Sequence, residues 1–203
     1  MLSFTIIKNY LVLCLTLNLA LAVAQKVPQN LPNAEVATSY QQVDIDGKTV
    51  QLIAKAGTYK LRDENNNPMA LFGYTSYIKE GAENNRPIVF AYNGGPGSSS
   101  FWLHMGVLGP RRIVVNDPEY TPAAPYQIVN NDYSILNIAD LVMIDPVGTG
   151  LSVPIGAHEF DEFWGVDQDI RTISLFITQY LIEQNRMNSP KFLLGESYGT
   201  FRN

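Results

Sequence analysis

The stretch that decides the fold is Phe192-Leu193-Leu194-Gly195-Glu196-Ser197-Tyr198-Gly199, in which a short apolar run leads into the pattern G-x-S-x-G. In this pattern the serine lies on a sharp turn between a strand and a helix, and its hydroxyl projects from the edge of a sheet. Glycines flank such a turn because it leaves little room for a Cβ atom. We therefore interpret Ser197 as a candidate nucleophile.

A serine nucleophile needs a general base, and the two histidines of the chain do not supply one in the expected order. His104 and His158 both precede Ser197, whereas in hydrolases with this turn the acid and the histidine follow the serine. We expect both histidines to be loop or pocket-wall residues. We also expect the acid and the base to lie beyond residue 203, so that this chain alone is inactive.

Three short apolar runs predict a parallel sheet. They are Ile88–Tyr92, Leu141–Ile144 and Phe192–Leu194, and their continuous apolar character is typical of strands buried on both faces. Between the last two runs, apolar residues recur at helical spacing, at Ile170, Ile173, Ile177 and Tyr180 or Leu181. A strand, a helix and a second strand in this order form a parallel crossover unit.

The segment from 36 to 78 predicts antiparallel strands instead. Asp46-Gly47 is a hairpin turn signal between Val43 and Val50, and residues 65–68 form a second turn signal. The fold class that we expect is therefore α/β, with antiparallel opening strands followed by parallel strands, a crossover helix and the serine turn.

Two loops directly follow the first two apolar runs. They read Asn93-Gly94-Gly95-Pro96-Gly97-Ser98-Ser99-Ser100 and Asp145-Pro146-Val147-Gly148-Thr149-Gly150-Leu151-Ser152. Loops at the carboxyl ends of parallel strands line the crevice of an open α/β sheet. The first loop is a poor phosphate cradle, because it lacks G-K-[ST] and Pro96 removes a backbone donor. Its glycines fit an oxyanion hole better, since they let backbone N–H groups approach a reacting carbonyl oxygen.

Together, N-G-G-P-G-x-S-S, D-P-V-G-T-G-x-S and G-E-S-Y-G, in this order over residues 93–199, resemble the serine carboxypeptidase family. The resemblance implies an α/β-hydrolase fold and the removal of residues from peptide C-termini by a Ser-Asp-His triad. It implies Ser197 as the nucleophile and the N–H groups of Gly95 and Tyr198 as the oxyanion hole. It also implies that Asn93 and Glu196 hydrogen-bond the terminal carboxylate of the substrate. Glu196 can do so only when it is protonated, because two carboxylates repel each other.

The chain departs from the family pattern at two positions. Ser98 stands where eukaryotic members usually have cysteine, and Val107 stands where many members have a second glutamate. The second departure leaves the carboxylate-binding network incomplete. Two alternatives to a carboxypeptidase therefore stay open: an esterase or acyltransferase on the same fold, and a fragment that binds without cleaving.

The first 24 residues are typical of a secretory signal peptide. Lys8 precedes an apolar stretch over residues 10–23, and Ala22-Val23-Ala24 forms a small-x-small cleavage site before Gln25. We expect a linker at 25–35 and, over 36–203, the N-terminal part of an α/β-hydrolase domain that is incomplete at its C-terminus. The mature protein is expected to be periplasmic or extracellular and not stably associated with a membrane. The alternative is an uncleaved membrane anchor.

Composition limits the partners of the 203-residue chain. It is 46% hydrophobic and 16% charged, as in a globular protein, with a net charge of −5. We expect no nucleic-acid partner, because the largest basic cluster is Arg111-Arg112. No metal-ligand spacing is present, and we expect no cofactor or metal. The expected partner is a peptide substrate with a free C-terminus, and the sequence does not indicate an oligomeric state.

Overall fold

The computed structural model of the chain describes residues 31–115, 120 and 123–203. The predicted signal peptide at 1–24 and most of the predicted linker lie outside these residues. Residues 32–203 form one compact unit. In the described ranges no helix combines the length and the apolar character needed to cross a membrane.

The fold begins with three antiparallel strands, as the sequence predicts: β1 (Val36–Ile45), β2 (Lys48–Arg62) and β3 (Pro68–Lys79). The first turn consists of Asp46 with φ of 50° and Gly47 with φ of 70°. Positive φ at both central residues defines the two-residue hairpin whose twist matches that of the flanking strands. Val43 pairs with Val50 in the resulting register.

Six further strands follow in the described part of the chain: β4 (Ile88–Tyr92), β5 (Arg111–Ile113), β6 (Ile128–Asn130), β7 (Asp140–Ile144), β8 (Val153–Pro154) and β9 (Lys191–Gly195). The main sheet has the order β1-β2-β3-β7-β4-β9, and β8 also pairs with β3. Strand β7 is antiparallel to β3 and parallel to β4, which in turn is parallel to β9. The loops after β4, β7 and β9 therefore leave the sheet at one end.

Two helices cover the faces of this sheet. Helix α1 (Phe101–Leu103) continues as a π-helix over His104–Leu108, and α2 (Val166–Glu183) connects β8 to β9. The predicted crossover helix is confirmed. Its buried face contains the predicted Ile173 and Tyr180, and it also contains Phe176, which the prediction did not include. Phe176 and Tyr180 are buried against Phe72 and Phe90 of the sheet. Helix α1 packs on the opposite face.

The burial of the parallel strands confirms two predictions and corrects the third. Every residue of β4 and β7 is buried. In β9, however, Phe192 is 54% exposed and Leu193 is 41% exposed, so the prediction of a strand buried on both faces is wrong there. The reason is position, because β9 lies at the edge of the described sheet and pairs only with β4.

A buried ionic cluster closes the end of the sheet opposite to these loops. Asp140, the first residue of β7, contacts Arg186 at 2.7 Å and Arg86 at 3.1 Å. The backbone N–H of Lys79 donates to the same carboxylate at 2.9 Å. Both carboxylate oxygens are thus paired, which is the condition under which a buried charge is tolerated.

Candidate active site

Ser197 lies on a strained turn between β9 and a 3-10 helix over Ser197–Arg202. Its φ is +55°, a region that costs energy for residues with a Cβ atom. Both flanking glycines are required by space: a Cβ on Gly195 would lie 2.1 Å from the Gly199 carbonyl oxygen, and one on Gly199 would lie 2.7 Å from that of Tyr92. The turn leaves the serine exposed, as a nucleophile requires.

The glycine-rich loop after β4 lies directly against this turn. A Cβ on Gly94 would be 2.5 Å from the Tyr198 backbone nitrogen and 3.0 Å from the Ser197 Cβ. Gly95 follows with φ of 113°, a conformation that favours glycine. The structure therefore brings the predicted oxyanion-hole residues, Gly95 and Tyr198, to the same place as Ser197. Their role as donors stays a prediction.

Asn93 and Glu196, the predicted carboxylate-binding pair, are hydrogen-bonded to each other. Asn93 Nδ2 donates to Glu196 Oε2 at 3.1 Å, and the Gly94 N–H lies 3.5 Å from the same oxygen. The Leu103 backbone N–H donates to Asn93 Oδ1 at 3.0 Å, which fixes the orientation of the Asn93 amide. Asn93 is buried and Glu196 is exposed, so a buried, hydrogen-bonded amide contacts an accessible carboxyl group beside the serine.

The loop after β7 joins the site through Asp145. Its Oδ1 accepts the Ser100 N–H at 2.8 Å, and burial raises the pKa of this carboxyl, while hydrogen bonds from Ser100 and Leu151 oppose the rise. Ser152 Oγ donates to the Asp145 carbonyl oxygen and accepts the Gly73 N–H. The D-P-V-G-T-G motif thus ties the glycine-rich loop to the sheet, since the Asp145 carboxylate bonds backbone groups.

A buried ion pair beneath the turn was not predicted from the sequence. The Arg202 side chain, at the end of the 3-10 helix, contacts Asp169 of α2 at 2.7 Å. It also donates to the carbonyl oxygens of Asn93 and Pro96 in the glycine-rich loop. The two charged residues are 33 positions apart and belong to no shared motif, so only the tertiary structure could pair them.

The two histidines lie away from this arrangement. His104 Nε2 is 2.8 Å from the Tyr77 hydroxyl, and burial lowers the pKa of the His104 imidazole. Of the two expected settings, a loop or a pocket wall, the loop is wrong for His104, because this residue begins the π-helix His104–Leu108. His158 Nδ1 pairs with Glu162 Oε2 at 2.9 Å near the surface. In the described part of the chain neither imidazole hydrogen-bonds Ser197.

A cavity of about 350 Å³ adjoins the turn. Its lining joins the glycine-rich loop, the loop after β7 and the start of α2, through Pro96, Gly148, Trp164, Tyr198 and Arg202 among others. Among the described residues no cluster of three histidine, cysteine or acidic side chains is arranged to hold a metal ion.

A mixed sheet with a crossover helix that leads into a serine turn defines an α/β hydrolase, and the predicted fold class is confirmed. The sequence model of one such family, the serine carboxypeptidases, matches residues 47–200. The chain belongs to the serine carboxypeptidase family, a family of serine-type peptidases.

Solved structures that are similar to this chain include two yeast proteins. Kex1, a prohormone-processing carboxypeptidase from Saccharomyces cerevisiae, aligns with a TM-score of 0.54 at 24% identity, over 72% of this chain and 31% of Kex1. The peroxisomal alpha-beta-hydrolase Lpx1 of the same yeast aligns with a TM-score of 0.36 at 15% identity, over 86% of this chain and 40% of Lpx1. This chain thus spans about a third of the length of Kex1.

Proposed function

We propose that the complete protein is a serine-type carboxypeptidase that cleaves C-terminal peptide bonds, with Ser197 as its nucleophile. The observation that carries the proposal is the hydrogen-bonded pair of Asn93 and Glu196, which lies beside an exposed serine on a strained turn. Membership in the serine carboxypeptidase family supports it.

The chemistry proceeds in two displacements. Ser197 Oγ attacks the carbonyl carbon of the last peptide bond while a general base takes the hydroxyl proton. Negative charge collects on the carbonyl oxygen, and the N–H groups of Gly95 and Tyr198 donate to it. The C–N bond then breaks, and the leaving amine takes the proton from the base. Water hydrolyses the acyl-serine ester and regenerates Ser197. We propose that the base is a histidine other than His104 and His158.

The Asn93 and Glu196 pair selects a free C-terminus. One Asn93 amide hydrogen is used by Glu196 Oε2, which leaves the second for a substrate carboxylate. The Asn93 amide and the Gly94 N–H both donate to Oε2 of Glu196. A proton on the other oxygen, Oε1, therefore points away from these two donors. A protonated Glu196 can therefore donate a hydrogen bond to the same substrate carboxylate.

The test uses the complete gene product with an N-blocked dipeptide and its C-terminal amide. We expect the free acid to be cleaved faster, and Ser197→Ala to abolish cleavage and fluorophosphonate labelling. Ser99→Ala, in the adjacent loop, is the matched control and should keep both activities. Equal rates for acid and amide would contradict carboxylate recognition, and labelling of the Ser197→Ala variant would contradict the nucleophile.

An esterase or acyltransferase is the second candidate function. Val107 favours it, because this exposed apolar residue stands where the family resemblance expects a second glutamate. In that case a simple ester without a carboxylate would be hydrolysed at Ser197 with a higher kcat/KM than the free-acid dipeptide.

A further inference from the structure

The guanidinium of Arg202 is the most heavily bonded buried cation near the candidate nucleophile. Arg202 is 4% exposed. Its Nε donates to Asp169 Oδ2 at 2.9 Å, Nη1 donates to the Asn93 carbonyl oxygen at 2.5 Å, and Nη2 reaches the Pro96 carbonyl oxygen at 3.3 Å. A buried charge is retained only when it is paired and hydrogen-bonded in this way.

These contacts connect the two halves of the proposed oxyanion hole. The two carbonyl groups that Arg202 binds flank Gly94 and Gly95, so the guanidinium spans the segment that carries one donor. The same guanidinium lies 5.1 Å from the centre of the Tyr198 ring, and Tyr198 carries the other donor. Both Arg202 and Tyr198 belong to the 3-10 helix that begins at Ser197.

The bond to the Asn93 carbonyl also bears on Glu196. That carbonyl and the Gly94 N–H belong to one peptide group, and a hydrogen bond at one end polarises the other end. The Gly94 N–H faces Glu196 Oε2 at 3.5 Å. The charge of Arg202 therefore acts on the carboxylate-binding pair through a single peptide group.

We propose that Arg202, held in place by Asp169, is a positioning residue that fixes the Gly94–Gly95 segment against the serine turn. Only arginine suits this role, because its planar fork reaches several acceptors in fixed directions, whereas lysine offers a single point charge. The proposal rests on the proposed function, since its effect is on the oxyanion hole and on Glu196.

The experiment measures the rate of fluorophosphonate labelling in the complete gene product. We expect Arg202→Lys to label about 10- to 100-fold more slowly, because a small displacement of a catalytic group costs about this much. Asp169→Asn should show a smaller loss in the same direction. Arg171→Lys is the matched control: Arg171 is on the same helix as Asp169, pairs with Glu64 at the surface, and should label at the wild-type rate.

Two further measurements separate positioning from simple stabilisation. Thermal unfolding should show Arg202→Lys to be folded at the labelling temperature, and ethylguanidinium should restore labelling to Arg202→Ala but not to Ser197→Ala. Labelling of folded Arg202→Lys at the wild-type rate would overturn the proposal, as would loss of folding in both Arg202→Lys and Asp169→Asn. If the wild type itself is not labelled at Ser197, the proposed function fails instead.

Discussion

Replacing Gly94 with alanine tests whether contact between the glycine-rich loop and the serine turn is needed for catalysis. A Cβ at this position would lie 2.5 Å from the Tyr198 nitrogen, 2.7 Å from the Glu196 carbonyl oxygen and 3.0 Å from the Ser197 Cβ. Ordinary contact begins at 3.4 Å, so the first gap must open by about 0.9 Å. All three neighbours are backbone or Cβ atoms, which cannot turn aside as a flexible side chain could.

Such a displacement separates the two oxyanion donors. Loss of one donor costs on the order of 10²- to 10³-fold in kcat, and a misplacement of about 1 Å costs about 10²-fold. We therefore expect Gly94→Ala to lower the fluorophosphonate labelling rate and kcat of the complete protein by about 100-fold. The change in KM should be smaller, because the oxyanion exists only in the transition state.

Gly97→Ala is the matched control for this variant. Gly97 belongs to the same loop, and a Cβ there would meet nothing within 4 Å, so this variant should label at the wild-type rate. Near-UV circular dichroism and the thermal midpoint would establish that both variants are folded. A folded Gly94→Ala protein that labels as fast as Gly97→Ala would refute the argument that the close approach of the loop builds the oxyanion hole.

Three other predictions concern the stability of the fold and the cleavage of the signal peptide. Asp140→Asn should lower the free energy of unfolding by about 3–5 kcal/mol in a urea titration, because it leaves the buried Arg186 and the partly buried Arg86 poorly compensated, whereas Glu64→Gln in an exposed pair should change it by less than about 1 kcal/mol. Burial lowers the pKa of His104 in the folded protein. Below about pH 6.5 the unfolded chain therefore binds a proton at this imidazole more readily than the folded chain does, and the free energy of unfolding should fall with falling pH. His104→Gln should flatten that pH dependence. N-terminal sequencing of secreted protein should find Gln25 first, and a retained Met1 would contradict the predicted signal cleavage.

The parts of the fold that the sequence predicts are those set by local chemistry. Asp46-Gly47 forms the expected hairpin turn because few residues adopt positive φ at two successive positions. Helix α2 forms where apolar residues recur at helical spacing, and Asp167 and Asp169 lie in its first turn. Each of these features depends on residues close together in the chain.

Features that depend on distant residues could not be predicted in this way. The apolar run of β9 has the same pattern as that of β4, but β4 lies between two strands and is buried, whereas β9 lies at the edge of the described sheet and is partly exposed. His104 precedes Ser197 by 93 positions, and its burial against Tyr77 follows from the packing of the π-helix on the sheet. The Arg202 and Asp169 pair likewise joins elements that only the folded chain brings together.

In the candidate site the proposed reacting groups are exposed, and the side chains that hold the surrounding backbone are buried. Ser197 and Glu196 are exposed, while Asn93 and Arg202, the side chains that hold the surrounding backbone, are buried. This division is a physical necessity, because a non-glycine residue with positive φ costs about 1–3 kcal/mol and persists only where its surroundings determine it. Hydrogen bonds at Tyr92, on the neighbouring strand, and at Gly199 supply that constraint on either side of Ser197. Substitution of the buried Asn93 or Arg202 should therefore displace Ser197 and Glu196 without removing either reacting group.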